Sequence, residues 1–181
     1  MALKRPAVFF DRDGVLNIDH GYTYLQQDFQ WMPGALETIK FFNDLNYLVF
    51  VITNQSGIAR GYYTEQDMHA LHEFMREQLG QHNAHIDAFY HCPHYPDAQD
   101  KRYRKICTCR KPATGMIEQA FREWDIDKEQ SFVIGDKLSD IQTAEATNMR
   151  GYLFQGGNLY EYVQALKIVN QKSKYRVELS R

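Results

Sequence analysis

Short apolar runs alternate along the chain with segments in which apolar residues recur every three or four positions. Ala7-Val8-Phe9-Phe10 reads as a buried strand, as do residues 48–52, 86–90, 132–134 and 152–154. Between them, Leu36, Ile39, Phe42 and Leu45 repeat at helical spacing after Pro33-Gly34, and Met68, Leu71, Met75 and Leu79 do so after Thr64. Thr64, with Asp67 three residues on, has the form of an N-cap with an acidic partner in the first turn. Met116, Ile117, Ala120, Phe121 and Trp124 make a third stripe, opened by Pro112. Leu138, Ile141 and Ala144 make a fourth, and Leu159, Val163, Leu166 and Val169 a fifth. This alternation predicts a doubly wound, Rossmann-like α/β fold, a parallel sheet covered on both faces, with ligands held beyond the carboxyl ends of its strands.

Two stretches break the rhythm. Residues 91–111 lack apolar periodicity and are too long for an ordinary connection, and residues 172–181 form a polar, basic tail. The length of 181 residues suits a single domain spanning 1–181, with 91–111 as a loop inside it and no large cap domain. Lys+Arg 21 against Asp+Glu 23 leaves a net charge of -2, which argues against a nucleic-acid or membrane-surface binder. The longest apolar run, residues 47–52, is too short to span a bilayer. Met-Ala-Leu-Lys-Arg-Pro leads directly into the first strand and leaves no room for a signal peptide, so a cytoplasmic monomer acting on a small molecule is expected.

The polar residues that follow the strands carry the chemistry. Asp11 and Asp13 follow the first strand, and on an extended chain residues two apart share one side. Asp136 and Asp140 follow the strand at 132–134. If the two loops share a sheet edge, like charges about 4 Å apart repel by roughly 4 kcal/mol at an effective dielectric of 20. A hard divalent cation with oxygen ligands, Mg2+, relieves that repulsion. Thr53-Asn54-Gln55-Ser56 follows the strand at 48–52 and offers a hydroxyl and backbone N–H groups to phosphate oxygens. Lys111 precedes Pro112 and its helix, near a helix N-terminus suited to anions. Nucleotide-binding glycine loops are absent from the sequence.

Cys92-Pro93-His94 and Cys107-Thr108-Cys109 supply three thiolates and one imidazole, a complete tetrahedral Zn2+ set that uses every cysteine in the chain. A closed four-ligand site is structural rather than catalytic. His91 is the spare ligand, whereas His69 and His72 fall within a helical pattern that explains them without a further role. Lys101, Arg102, Arg104, Lys105, Arg110 and Lys111 form a basic run. For residues 101–105 the reading preferred over a nucleic-acid patch is that they offset the negative charge of the zinc–thiolate cluster. Arg110 adjoins Lys111 and is placed to reach a second anionic group on a substrate.

Asp11-x-Asp13-Gly-Val, Thr53, Lys111 and Gly135-Asp136-Lys137-x-x-Asp140 resemble, in order, the four motifs of the haloacid dehalogenase superfamily over roughly residues 7–155. Gly21-Tyr22, Thr53-Asn-Gln-Ser-Gly-Ile-Ala-Arg-Gly and Cys109-Arg-Lys-Pro112 narrow the resemblance to its heptose bisphosphate 7-phosphatases, relatives of the histidinol-phosphatases. That resemblance implies that Asp11 is a nucleophile forming an aspartyl-phosphate and that Asp13 is the acid and then the base. It implies that Thr53 and Lys111 hold phosphoryl oxygens, and that Mg2+ is bound by Asp11, Asp136 and the Asp13 carbonyl. Substrate recognition falls to Asp19, His20, Gly21, Tyr22, Thr53, Asn54, Gln55, Ser56 and Arg110, with Lys137 facing the phosphate. The implied enzyme is a Mg2+-dependent sugar-phosphate phosphatase. Histidinol-phosphate phosphatase is the alternative, ahead of a nucleic-acid end-processing protein and a receiver-like domain phosphorylated on Asp11.

Overall fold

In the computed structural model, which describes residues 4–168, all five strands pair in parallel. They are β1 (Ala7–Phe10), β2 (Leu48–Asn54), β3 (Ala88–Cys92), β4 (Phe132–Gly135) and β5 (Arg150–Leu153), in the order β3-β2-β1-β4-β5. β1 is central, and the winding reverses between β1 and β4. The crevice beyond a reversal of this kind is where open α/β sheets bind ligands.

The helices are α1 (Ala35–Asp44), α2 (Ser56–Ala59), α3 (Glu65–Gln81), α4 (Gly115–Glu123), α5 (Leu138–Ala146) and α6 (Leu159–Leu166). Alternation along β1 divides the core into two layers. Val8 and Phe10 join Ile39 and Phe42 of α1, Met75 and Leu79 of α3, and Val163 of α6. Ala7 and Phe9 join Met116, Ile117 and Ala120 of α4 on the opposite face. Phe9 packs 5.1 Å from Phe50 and Phe10 packs 6.1 Å from Phe42, measured between ring centroids. Truncating either fully buried ring to alanine is expected to cost about 3–5 kcal/mol. Among the described residues no separate cap domain stands over the sheet, and no helix is long and apolar enough to cross a membrane.

The cap predicted at Thr64 is present: its hydroxyl accepts from the Asp67 N–H at 3.1 Å, and the Asp67 carboxylate accepts from the Thr64 N–H at 2.8 Å. Several expected boundaries move. β3 starts at Ala88 because Asp87 turns its carboxylate onto the Val49 N–H at 2.7 Å ahead of the ladder. β5 starts at Arg150, and Phe154 lies beyond its end as a core residue. α4 begins at Gly115, beyond Pro112, whose peptide bond to Lys111 is cis. The fourth stripe is not an apolar face: Leu138 is 67% exposed, and α5 buries Asp140, Thr143 and Ala144 instead. The Asp140 carboxylate accepts from the Lys137 N–H at 3.0 Å, which turns the first turn of α5 toward the sheet edge with its acid inward. Val169 and the tail at 172–181 lie outside the described residues.

Candidate active site

The two acidic loops meet at the reversal point. Asp11 follows β1, donates its N–H to the Ile134 carbonyl of β4 at 3.0 Å, and is 5% exposed. Asp136 follows β4. One carboxylate oxygen each of Asp11, Asp136 and Asp140 lies within 4.8 Å of the others. Two glycines make this convergence possible. A Cβ on Gly14, which has φ +88°, would stand 2.4 Å from an Asp136 carboxylate oxygen, and one on Gly135 would stand 2.1 Å from the Asp140 Cβ.

Lys111 enters this cluster from the far side. Its ammonium is 2.9 Å from Asp11, 2.6 Å from Asp140 and donates to the Ile52 carbonyl at 2.8 Å, with only 4% of the residue exposed. Asn54 holds the Lys111 backbone from both sides, accepting from its N–H at 3.0 Å and donating to its carbonyl at 3.2 Å. Burial alone pulls the Lys111 ammonium down, but Asp11 and Asp140 outweigh it and hold the ammonium above its ordinary value. Asp11 is pushed the other way. Burial, with help from Asp140 and Asp13, raises its carboxyl to about 7 against the pull of Lys111. One buried lysine, with Lys137 only at the rim, leaves the three carboxylates in excess of positive charge.

The donor set fits a hard divalent cation. Asp136 Oδ1 is buried with no hydrogen-bond partner among the described residues, and a buried carboxylate oxygen left unpaired is costly unless a proton or cation meets it. All the converging donors are oxygens, which suits Mg2+.

Asp13 stands apart from this trio. The chain does not remain extended after β1. It turns at Arg12, whose carbonyl accepts from Val15, Leu16 and Asn17, so the expected side-by-side placement of Asp11 and Asp13 on a strand is replaced by a turn. Asp13 Oδ1 accepts from Arg12 Nη2 at 3.1 Å and Asn17 Nδ2 at 3.1 Å, and Oδ2 accepts from Gln55 Nε2 at 3.0 Å. Arg12, which sequence reasoning passed over, is 1% exposed. It also donates to the Thr23 carbonyl at 2.7 Å and Gln55 Oε1 at 3.3 Å, and meets His72 Nε2 at 3.3 Å. Its position between two aspartates is the one sequence signal for this role. Tyr63, likewise unforeseen, donates its hydroxyl to Gln55 Oε1.

Thr53 ends up buried near the end of β2, its hydroxyl accepting from Gln55 Nε2 at 2.7 Å. Ser56 opens the short α2. Lys137 is half-exposed, with its ammonium 3.7 Å from Asp136 and 3.8 Å from Asp19, so it joins the 19–22 loop to the acidic cluster. In that loop Asp19 accepts from the Gly21 N–H at 2.9 Å, and Tyr22, at φ 54°, stacks edge-on to Tyr62 at 4.7 Å. His20 is exposed and joins Gly21 and Tyr22 along an open groove with Gln27, Asp28 and Gln30.

Cys92, His94, Cys107 and Cys109 converge as the spacing predicted. The sulfurs are 3.1–3.5 Å apart, and His94 Nδ1 is 3.3 Å from Cys109 and 3.6 Å from Cys92. These separations are close to the edges of a tetrahedron around one zinc-sized ion. His91 lies with Glu65 and His69 rather than with the thiols. In the basic run, Arg102 pairs with Asp100 at 2.7 Å and Arg104 donates to the Ala98 and Gln99 carbonyls, contacts within the loop itself. Arg110 donates to the His94 carbonyl at 3.4 Å and lies 5.6 Å from the Tyr95 ring centroid, while Arg60 covers that ring at 4.0 Å.

Buried carboxylates bridged by a lysine at the reversal point of a parallel sheet define a phosphohydrolase-type site on a HAD-like fold, and residues 108–171 match the HAD-hydrolase-like family. The chain is 41% identical over 172 residues to the D-glycero-beta-D-manno-heptose-1,7-bisphosphate 7-phosphatase of Rhodopseudomonas palustris, covering 95% of this chain and 96% of that protein. It is 48% identical over 139 residues to the enzyme of the same name from Photorhabdus laumondii, covering 77% and 74%. Among solved structures it superposes on D,D-heptose 1,7-bisphosphate phosphatase from B. bronchiseptica, complexed with magnesium and phosphate. There the TM-score is 0.74 and the identity 33%, over 88% of this chain and 86% of that one. The chain belongs to the D-glycero-beta-D-manno-heptose-1,7-bisphosphate 7-phosphatase family of HAD-like hydrolases.

Proposed function

We propose that the protein hydrolyses the C7 phosphate of D-glycero-β-D-manno-heptose 1,7-bisphosphate to heptose 1-phosphate, within the biosynthesis of nucleotide-activated heptose for lipopolysaccharide core. The observation that carries this reading is the buried Asp11 carboxylate set between Asp136 and the Lys111 ammonium. Support comes from relatives of that name that match over nearly their whole length. The relatives favour this reading over histidinol-phosphate phosphatase.

In the first step an Asp11 oxygen attacks phosphorus, the bond to the sugar oxygen breaks, and Asp13 gives that oxygen its proton. In the second, Asp13 takes a proton from water, the hydroxyl attacks the aspartyl-phosphate, and inorganic phosphate leaves Asp11 free. Asp13 suits both roles because Arg12, Asn17 and Gln55 hold it in place. Thr53 and Lys111 receive the phosphoryl oxygens, and Lys137 adds charge at the rim. Asp11, Asp136 and the Asp13 carbonyl would hold Mg2+, which supplies charge against the phosphoryl oxygens. Asp140 is reserved for Lys111 and the α5 N-terminus.

Residues 19–22 (Asp19, His20, Gly21, Tyr22) and Ser56 line the sugar side, Asn54 and Gln55 support it through the Lys111 backbone and Asp13, and Arg110 receives the C1 phosphate. A structural Zn2+ on Cys92, His94, Cys107 and Cys109 braces the segment carrying Arg110 and Lys111. One cytoplasmic domain, acting as a monomer, carries the whole activity. The test is phosphate release from the heptose bisphosphate and from histidinol phosphate, with and without Mg2+, by the protein and by Asp11→Asn. Mg2+-dependent turnover of the bisphosphate, abolished in Asp11→Asn, is expected. Faster release from histidinol phosphate, or near-normal multiple turnover by Asp11→Asn, overturns the reading.

A further inference from the structure

Outside the carboxylate and thiol clusters, one more group of metal-ligating side chains converges. Glu65 and His69 stand one turn apart on α3, and residues at this spacing share a helix face. His91 faces them from β3, its Nε2 3.2 Å from Glu65 Oε2, and its ring lies 5.4 Å from that of His69 between centroids. One ligand atom from each of the three lies within 4.8 Å of the others. The other Glu65 oxygen, Oε1, accepts from the Tyr103 hydroxyl at 2.9 Å, which orients the carboxylate and leaves Oε2 turned toward the two imidazoles. Glu65 and His91 are partly exposed and His69 is exposed, so solvent reaches the group. A bare Glu65–His91 hydrogen bond would not bring a third ligating residue to the same point.

We infer that Glu65, His69 and His91 form a second metal site, open to solvent, for a borderline first-row transition-metal dication such as Zn2+ or Co2+. Two imidazoles and a carboxylate suit such ions rather than Mg2+, which prefers oxygen. Small side-chain rotations bring the three donors to about 2.0–2.2 Å from a common ion, leaving its remaining positions to water. The hydrogen bond from Tyr103 is the kind of outer contact that holds a ligating carboxylate in place. Because Tyr103 belongs to the loop at 91–111, an ion here would also tie α3 and β3 to that loop. Three ligands on an exposed face make the site exchangeable.

The test is a Co2+ titration of the full-length protein as purified, with Mg2+ in excess to fill the carboxylate site, followed by equilibrium dialysis and visible absorption. The protein is expected to take up one Co2+ more than His69→Ala or Glu65→Gln does. That equivalent should lack the intense near-ultraviolet band of thiolate ligation. In each variant its affinity should weaken by about tenfold or more. The thermal midpoint should rise more with Co2+ in the unchanged protein than in His69→Ala. His69 is exposed, so that variant keeps the fold. Equal Co2+ uptake and affinity in the protein and both variants, or no uptake beyond the metal already held, overturns the proposal. The comparison counts a difference of one ion, so it is read independently of whether the thiol cluster holds zinc.

Discussion

The Lys111 ammonium lies 2.9 Å from the Asp11 carboxylate, in a pocket that leaves only 2% of the one side chain and 7% of the other exposed. Asp140, at 2.6 Å, shares the same ammonium. Replacing Lys111 with Met keeps the length and removes the charge. Two buried carboxylates are then left facing each other and any phosphoryl group. Removing one preorganised charged donor of this kind lowers kcat by about 10²–10³-fold. Steady-state phosphate release checks this, and a kcat close to that of the unchanged protein contradicts it.

Arg110 rests on the Tyr95 ring and the His94 carbonyl, with its guanidinium fork suited to a bidentate anion contact. Arg110→Ala is expected to lower selectivity for the bisphosphate over a heptose 7-monophosphate by roughly 1.5–3 kcal/mol, the worth of a charge-assisted hydrogen bond. Small generic phosphate esters should be hydrolysed as before. The ratio of kcat/KM values reads this out, and an unchanged ratio contradicts it.

The thiol cluster should hold about one zinc per chain tightly enough to survive dialysis. Cys107→Ser is expected to lose that zinc and to lower turnover and substrate affinity together, because Arg110 and Lys111 follow directly on the ligand Cys109. Metal analysis finding no zinc in well-folded, fully active protein argues against the structural role.

His72 meets Arg12, which can only donate, so the facing His72 nitrogen must be an acceptor and the ring neutral. Burial, with Arg12, His91, His69 and Arg76 nearby, holds His72 well below its ordinary value of 6.5. Between its folded value and 6.5 the folded protein binds fewer protons here than the unfolded chain. This contribution to stability is therefore complete above pH 6.5 and is lost as pH falls below it. His72→Gln keeps an acceptor for Arg12 without a titrating ring. Urea unfolding from pH 7.5 to 5 should show the unchanged protein losing up to about 1.4 kcal/mol per pH unit more than the variant. Parallel curves contradict the assignment.

Much of this site is legible along the chain because strand ends announce themselves. Asp11, Thr53 and Asp136 each follow an apolar run, and a parallel sheet brings such positions to one edge. Thr64 and Asp67 are readable because a capping box is local, and Cys92, His94, Cys107 and Cys109 because their chemistry is rare and paired. The features that escape reading are long-range. Arg12 gathers Thr23, Gln55 and His72, and nothing in the sequence near any of them marks the contact. Asn54, expected near phosphate, spends its amide on the Lys111 backbone. Leu138 sits at helical spacing with Ile141, yet Asp140 takes the inward face because Lys111 and the Lys137 N–H each hold one of its carboxylate oxygens. His69 and His91 belong to different elements, and only the fold brings them together.

The most direct measurement follows the two phosphates separately. Phosphorus NMR of D-glycero-β-D-manno-heptose 1,7-bisphosphate, incubated with the protein and Mg2+, resolves the C7 ester from the C1 phosphate. The account predicts that the C7 signal disappears while the C1 signal persists and inorganic phosphate grows in equal amount, with no change in the spectrum when Asp11→Asn is used. Loss of the C1 signal first, or an unchanged spectrum with the unaltered protein, would contradict it.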